Sequence, residues 1–363
     1  MTNEAHAGLS ASLSWTHERV VIVHDPASGL QGVIAIHSTV LGPALGGLRI
    51  RAYDGGPAEA LDDALRLSHA MTLKASAAGL DLGGGKAVVV DDGRAGRREA
   101  RLDAFAREVE ALGGAYVTAE DIGTTTADMD RIALHTEHVV GRSPRGTLGG
   151  DPSPSTARTV LGAMRAALQV LGEPDDLEGR TVGVVGLGKV GGRLARRLAE
   201  AGARVIGCDP VPEARAQMAG LGVEAVARPD AVLARELDVL APCATGGLID
   251  AALAGALRCR VVCGAANNPL RGPRAAERLH ARGVLYVPDF LANCGGLIHV
   301  DAERRRDGDP ASLAAALDAA RERVHAVLEH AVRERREPAR LAAELAWRRI
   351  AVASRAAAPT GVR

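Results

Sequence analysis

Aromatic residues are nearly missing from this chain, at two Trp, two Phe and three Tyr among 363 residues. Any core must therefore be built from aliphatic side chains, and 47% hydrophobic against 24% charged residues is the balance of a globular chain. An excess of one charge is lacking too. Lys and Arg number 44, as do Asp and Glu, and no block of like charge occurs, so neither nucleic acid nor an anionic membrane is favoured as a partner. There is no run of about 20 uncharged apolar residues, and the opening MTNEAHAGLSASLSW has no basic patch leading into an apolar stretch. Neither a membrane span nor a leader is expected, which implies a cytoplasmic location. The five cysteines (Cys208, Cys243, Cys259, Cys263, Cys294) are odd in number and have no paired CxxC spacing. That argues against a disulfide framework and a structural zinc site, and they read as buried thiols. His135 and His138 have no carboxylate motif beside them, so a helix-surface place is expected and no metal is assigned.

The length exceeds what one hydrophobic core fills and predicts two domains. In the first half, ERVVIVHD and GVIAIHSTV alternate as strands. PAEALDDALRLSHAM carries Leu61, Ala64, Leu65 and Ser68 at helical spacing behind a proline suited to a first turn. A loop is expected from Lys74 through Gly79 and a triple glycine to a strand at Ala87–Val90, with Lys74 and Lys86 bracketing it. The Gly-, Pro- and Ser-rich text GRSPRGTLGGDPSPSTA marks a boundary, dividing the chain at 1–149 and 150–334. After Arg180, strands and helices alternate closely, as in a parallel sheet with right-handed crossovers. The fold class is thus α/β, with a C-terminal doubly wound domain. The Ala- and Arg-rich tail reads as amphipathic helices, with residues from about 335 to 363 packing back on the first domain.

Gly186, Gly188 and Gly191 form G-x-G-x-x-G between the strand TVGVV and a helix that opens with Lys189 and Val190. Asp209 follows 18 residues after Gly191, at the end of the next strand. Glycines in this context allow backbone N–H groups and a helix N-terminus to hold a pyrophosphate. An acid at Asp209 accepts from ribose hydroxyls and repels a 2′-phosphate, so NAD is expected as the cofactor, although Arg204 and Arg215 lie near in sequence. Three later strands end at Pro242 and Cys243, at Asn267 and Asn268, and at Asp289. In a doubly wound sheet these turns line the ligand crevice, and beside the fingerprint Asn267 gains weight.

A dinucleotide fold says only that a hydride moves; the substrate chemistry belongs to the other domain. Lys74 and Lys86 stand out because neither has the polar neighbours of a surface lysine. Two ammonium groups in one cleft lower each other's pKa, and burial adds to the effect, so one could shuttle a proton near neutral pH. Asp121 in YVTAEDIGTT is the third candidate, alongside a plain turn-capping role.

From LGPALGGLR through MTLKASAAGLDLGGGK, TAEDIGTT, DPSPSTA, GLGKVGGRLA, APCATGG and GAANN to PDFLANCGG, roughly residues 20 to 300, the chain resembles the leucine, phenylalanine and valine dehydrogenase family. The resemblance implies an N-terminal α/β domain for substrate binding and self-association, a C-terminal Rossmann-type domain for NAD, and a homo-oligomer. Lys74 matches the lysine that holds the substrate carboxylate. Lys86 and Asp121 match the catalytic pair: a low-pKa lysine acting with water, and an acid relaying a proton to or from the substrate nitrogen. Gly46, Gly47, Met71 and Asn267 match substrate contacts. Thr156, Cys243, Ala244, Ala265 and Asn267 match the surroundings of the dinucleotide. The implied reaction is reversible oxidative deamination, through an iminium ion and a carbinolamine, to a 2-oxo acid and ammonia. The matching pocket is Leu45, Ala119, Leu297 and Val300, all apolar. Glutamate dehydrogenases place a lysine at Leu45, and an apolar residue cannot pair that distal charge. Branched aliphatic substrates are therefore expected, with a phenylalanine or tryptophan dehydrogenase as the alternative and a silent NAD-binding regulator as the alternative of another class. Leu48 replaces a usual threonine and Ala75 a usual asparagine.

Overall fold

The computed structural model describes residues 16–94, 96–144, 149–305 and 309–357. They divide into two units. The first runs to Asp151 and includes Val300–Asp309 and the tail from Ala346, while the second comprises Pro152–His299 and Pro310–Leu345.

The first unit is a five-stranded mixed sheet in the order β1-β2-β4-β3-β5. β1 (Arg19–Asp25) and β2 (Leu30–Ser38) form an antiparallel pair at the edge. β3 (Ala44–Arg51) precedes helix α1 (Gly56–Ala77), which is followed by β4 (Gly83–Val90), α2 (Arg98–Ala111), β5 (Tyr116–Glu120) and α3 (Thr126–Ile132). β3 lies parallel to both β4 and β5. Strand periodicity divides the core between the two faces of the sheet. Ile34 and Ile36 pack with Leu48, Phe105, Tyr116 and Met129, whereas Val33 and Ala35 pack with Ala60, Ala64 and Leu65 of α1. Helix α3 starts at Thr125, whose side chain accepts from the Asp128 backbone while Asp128 accepts in return, a capping box.

The triple glycine lies within β4, not in a loop before it. The reason is contact: α1 presses on the strand so closely that a β-carbon at Gly84 would collide with the Thr72 backbone nitrogen. Beside this contact His37 stands between His17 and His69, with ring centroids 4.8 and 4.7 Å away, and Trp347 lies 5.1 Å from His69. The His37 ring bonds Thr72 Oγ1 at 2.9 Å. Burial, then the neighbouring imidazoles His69 and His17, pushes His37 down to about 4.

The second unit is a parallel six-stranded sheet in the order β11-β10-β9-β6-β7-β8. It opens with α4 (Ser153–Val170), β6 (Thr181–Val185), α5 (Lys189–Glu200), β7 (Arg204–Cys208), α6 (Pro212–Ala219), β8 (Glu224–Val226), α7 (Pro229–Leu233) and β9 (Glu236–Pro242). It continues with α8 (Ala251–Ala256), β10 (Arg258–Val262), α9 (Pro273–Ala281), β11 (Leu285–Tyr286) and α10 (Asp289–Ala292). The chain winds outward from β6 through β7 and β8, then returns to β9 on the other side, so the sheet is doubly wound and switches direction between β6 and β9. Three helices follow: α11 (Gly295–Arg305), α12 (Pro310–Arg333) and α13 (Pro338–Ala357).

The tail joins the first unit from Ala346, not from about 335, and Val300–Asp309 joins it as well. Both cuts fall inside continuous helices, α11 and α13, whose amphipathic pattern has no break to mark them. Ser76 Oγ donates to the Ala346 carbonyl at 2.8 Å, and Arg349 donates to the Leu80 carbonyl and to Asp81, each at 2.7 Å. His135 lies in the turn after α3 beside Asp103 at 3.2 Å, not on a helix surface. Among the described residues no group of His, Cys, Asp and Glu could hold a metal ion, and no helix is long and apolar enough to cross a membrane.

Candidate active site

Lys86 lies mid-strand on β4, sealed from solvent at 5% exposure, with Nζ 2.7 Å from Asp121 Oδ2. Asp121 directly follows β5, and its backbone N–H donates to Thr124 Oγ1, which in turn donates to the Leu48 carbonyl. Gly47 of β3 makes room for this acid, since a β-carbon there would lie 2.7 Å from the Asp121 β-carbon. Gly46 sits one residue back, and its carbonyl accepts from the Tyr116 hydroxyl at 2.5 Å. Leu45 and Ala119 are buried on neighbouring strands, while Met71 and Lys74 are half-buried on α1, one turn apart.

Burial pushes the Lys86 ammonium below its ordinary value, against the attraction of Asp121. Burial alone would raise the Asp121 carboxyl, but the charges of Lys86 and Arg49 outweigh it and hold that carboxyl below the usual range. A desolvated amine of lowered pKa gives up its proton more readily than a surface lysine does, which is what proton exchange with a small molecule needs.

The second unit carries the glycine turn. Gly186, at φ +101°, follows β6, and Gly188 opens α5, with Lys189 and Val190 in its first turn and Gly191 buried behind them. A β-carbon at Gly188 would meet nothing within 4 Å, so the turn leaves open space at the helix N-terminus. Asp209 lies just beyond β7 and accepts from the backbone N–H groups of Leu187 at 2.8 Å and Val211 at 2.9 Å. These residues fit a dinucleotide: open space at a helix N-terminus for phosphates and a fixed acid for ribose hydroxyls. Arg215 is committed to the carbonyls of Asp209 and Pro210, each at 2.8 Å, and Arg204 bonds Thr181. Cys243 and Ala244 follow β9 against Gly186. Burial pushes the Cys243 thiol up to about 12, so it is no nucleophile. Asn293 donates to the Ala265 carbonyl at 3.1 Å and to Asn267 Oδ1 at 2.9 Å, which fixes the loop after β10. Thr156 Oγ1 donates to the Pro152 carbonyl in the first turn of α4. Leu297 and Val300 are buried on α11, on opposite sides of the cut between the units.

Sequence reasoning missed Arg49. Its Nε meets Asp121 Oδ2 and its Nη1 meets Asp63 Oδ2, each at 2.9 Å. Asp63 also accepts from Tyr53 at 2.9 Å and from Arg66 at 2.6 Å. The like charge acting on Lys86 was expected from Lys74, but the cation among the groups that act on it most is Arg49. A compositional signal also went unread. The chain has only three lysines among its 44 basic residues, Lys74, Lys86 and Lys189, and all three lie at candidate site positions. Arginine supplies cations elsewhere, but it cannot deprotonate as a lysine can.

Residues 17–138 match the family described as Glu/Leu/Phe/Val dehydrogenase, dimerisation domain, and residues 214–357 match Glutamate/Leucine/Phenylalanine/Valine dehydrogenase. Residues 162–262 also match the NAD binding domain of D-isomer specific 2-hydroxyacid dehydrogenases. The chain is 44% identical to leucine dehydrogenase of Geobacillus stearothermophilus, over 80% of this chain and 79% of that one. It is 47% identical to valine dehydrogenase of Streptomyces virginiae, over 80% and 81%. L-tryptophan dehydrogenase from Nostoc punctiforme superposes with a TM-score of 0.82 at 32% identity, covering 95% of this chain and 99% of that one. With identity at this level across four-fifths of its length, the chain belongs to the Glu/Leu/Phe/Val dehydrogenase family.

Proposed function

We propose that the protein catalyses the reversible NAD-dependent oxidative deamination of a branched aliphatic L-amino acid to its 2-oxo acid and ammonia. The observation that carries this reading is the buried 2.7 Å pair of Lys86 and Asp121, in a chain that also has the glycine turn and Asp209. Lys74 holds the substrate carboxylate. NAD, bound at Gly186, Gly188, Gly191 and Asp209, supplies the hydride acceptor. Lys86 takes the proton of the water that adds to the iminium carbon, which requires an amine that is partly neutral at working pH. Asp121 relays a proton at the substrate nitrogen and helps release ammonia. Leu45 and Ala119 present no charge to a side chain, which supports an apolar substrate over glutamate. Asp209, with Arg204 and Arg215 both engaged elsewhere, supports NAD over NADP.

The structural likeness to a tryptophan dehydrogenase, with Leu48 and Ala75 in place of the usual threonine and asparagine, favours an aromatic amino acid as the second reading. A panel of L-leucine, L-valine, L-phenylalanine and L-tryptophan with NAD, followed at 340 nm, separates the two. Branched substrates should have the highest kcat/KM, and Lys86→Ala should abolish turnover while NAD still binds. Absence of turnover with every amino acid and either dinucleotide refutes both. The same reading makes the protein a homo-oligomer through its first unit, where the edge strand β1 exposes Val20 and Ile22, a point that light scattering tests. It also places the enzyme in the cytoplasm, where its five free thiols stay reduced.

A further inference from the structure

We propose that Arg49 is a positioning residue for the Lys86–Asp121 pair: anchored on Asp63, it takes the carboxylate oxygen that the amine also takes and so fixes the orientation of the acid. The geometry is specific. Lys86 Nζ and Arg49 Nε both meet Asp121 Oδ2, at 2.7 and 2.9 Å, and no hydrogen bond from a described residue reaches Oδ1. One oxygen is therefore committed to two cations and the other remains available. A single lysine bond would leave the carboxylate free to rotate about its last torsion, whereas a second, rigid donor removes that freedom.

The arrangement depends on Asp63. A guanidinium with 14% side-chain exposure needs its own counter-charge, and Asp63, itself 7% exposed and held by Tyr53 and Arg66, supplies it. The charged groups that act most on Lys86 come from three places, Asp121 after β5, Arg49 on β3 and Asp63 on α1, with Tyr53 and Arg66 behind Asp63 and only Ala35 opposite Lys86 on β2. Tyr116 on β5 is neutral, since burial raises its hydroxyl. Two bonds to one oxygen keep the cations within about 6 Å of each other, where like charges shift a titration by about one pH unit or more. Arg49 cannot deprotonate, so it always acts against protonation of Lys86, while Asp63 acts in the opposite sense.

The assignment rests on the dehydrogenase reading for what the pair does, but its test needs no turnover. With only three lysines, the full-length protein labelled with [13Cε]lysine gives three titrating signals, each assigned by Lys→Arg substitution. In Arg49→Gln the Lys86 midpoint should rise by about one pH unit or more, with Lys189 unmoved. In Asp63→Asn, which keeps the side-chain shape, it should fall. Opposite shifts are not what a loosened fold produces, because loosening moves both variants the same way. If Arg49→Gln does not fold, the Asp63→Asn shift decides. A Lys86 midpoint that stays in place, or that moves in one direction in both variants, overturns the proposal. Failure of every amino acid to support turnover would instead overturn the dehydrogenase reading and leave this result standing.

Discussion

His37 makes the first unit sensitive to acid, and the size of the effect follows from its surroundings. The imidazole is 7% exposed and bonded to Thr72 Oγ1, and burial, then the neighbouring imidazoles His69 and His17, hold it at about 4 against an ordinary 6.5. A base whose folded value is depressed is neutral in the fold and takes up its proton more readily when unfolded. Its contribution is complete above 6.5 and is lost as pH falls from 6.5 toward 4. Each unit is worth 1.36 kcal/mol, so by pH 5 the loss is about 2 kcal/mol. For a unit of this size that is about 4–8 °C in Tm. His37→Gln removes the titration and keeps a donor for Thr72. Melting curves of wild type and variant at pH 7.5 and pH 5.0 give the test. Wild type should lead at pH 7.5, through its ring packing, and its lead should shrink by about 4–8 °C at pH 5.0. An equal gap at both pH values would refute the reasoning, because the His37 titration is the largest pH-dependent difference between the two proteins.

Gly84→Ala forces a methyl group into the backbone of α1 and should cost about 3 kcal/mol or more, read as a lower denaturant midpoint. Gly188→Ala, where there is open space, should leave the melting temperature within about 1 °C but weaken NAD binding about tenfold or more in calorimetry, because the methyl group occupies phosphate space. Asn293→Ala strips donors from the Ala265 carbonyl and from Asn267, and should cost about 1–3 kcal/mol while raising KM for NAD. Asp209→Ser should raise the kcat/KM ratio of NADP to NAD, since a 2′-phosphate no longer meets a carboxylate.

Features whose causes are local could be read from the text. The glycine turn, the strand before it and Asp209 lie within one short stretch, and Lys86 stood out because glycines and β-branched residues surround it. Arg49 did not stand out, because its meaning lies in Asp63 and Asp121, and the second of these is 72 positions away. The histidine group is similar: His17, His37, His69 and Trp347 meet only after the sheet, α1 and α13 have assembled. The tail's return to the first unit was legible, but its start at Ala346 and the return of Val300–Asp309 were not, for a different reason. A helix that passes from one unit to the other keeps one amphipathic repeat, and nothing in 3.6-residue periodicity records which core it faces.

The near absence of lysine has a practical consequence. Reagents that seek primary amines, such as aldehyde supports, succinimidyl dyes and pyridoxal probes, usually decorate a protein at random over its surface. On this chain the side chains they can reach are Lys189 beside the glycine turn and the half-buried Lys74. On the site assignment proposed above, attachment through a lysine side chain would fall on the cofactor turn or on the carboxylate-binding helix, so coupling through the α-amino group is the gentler route.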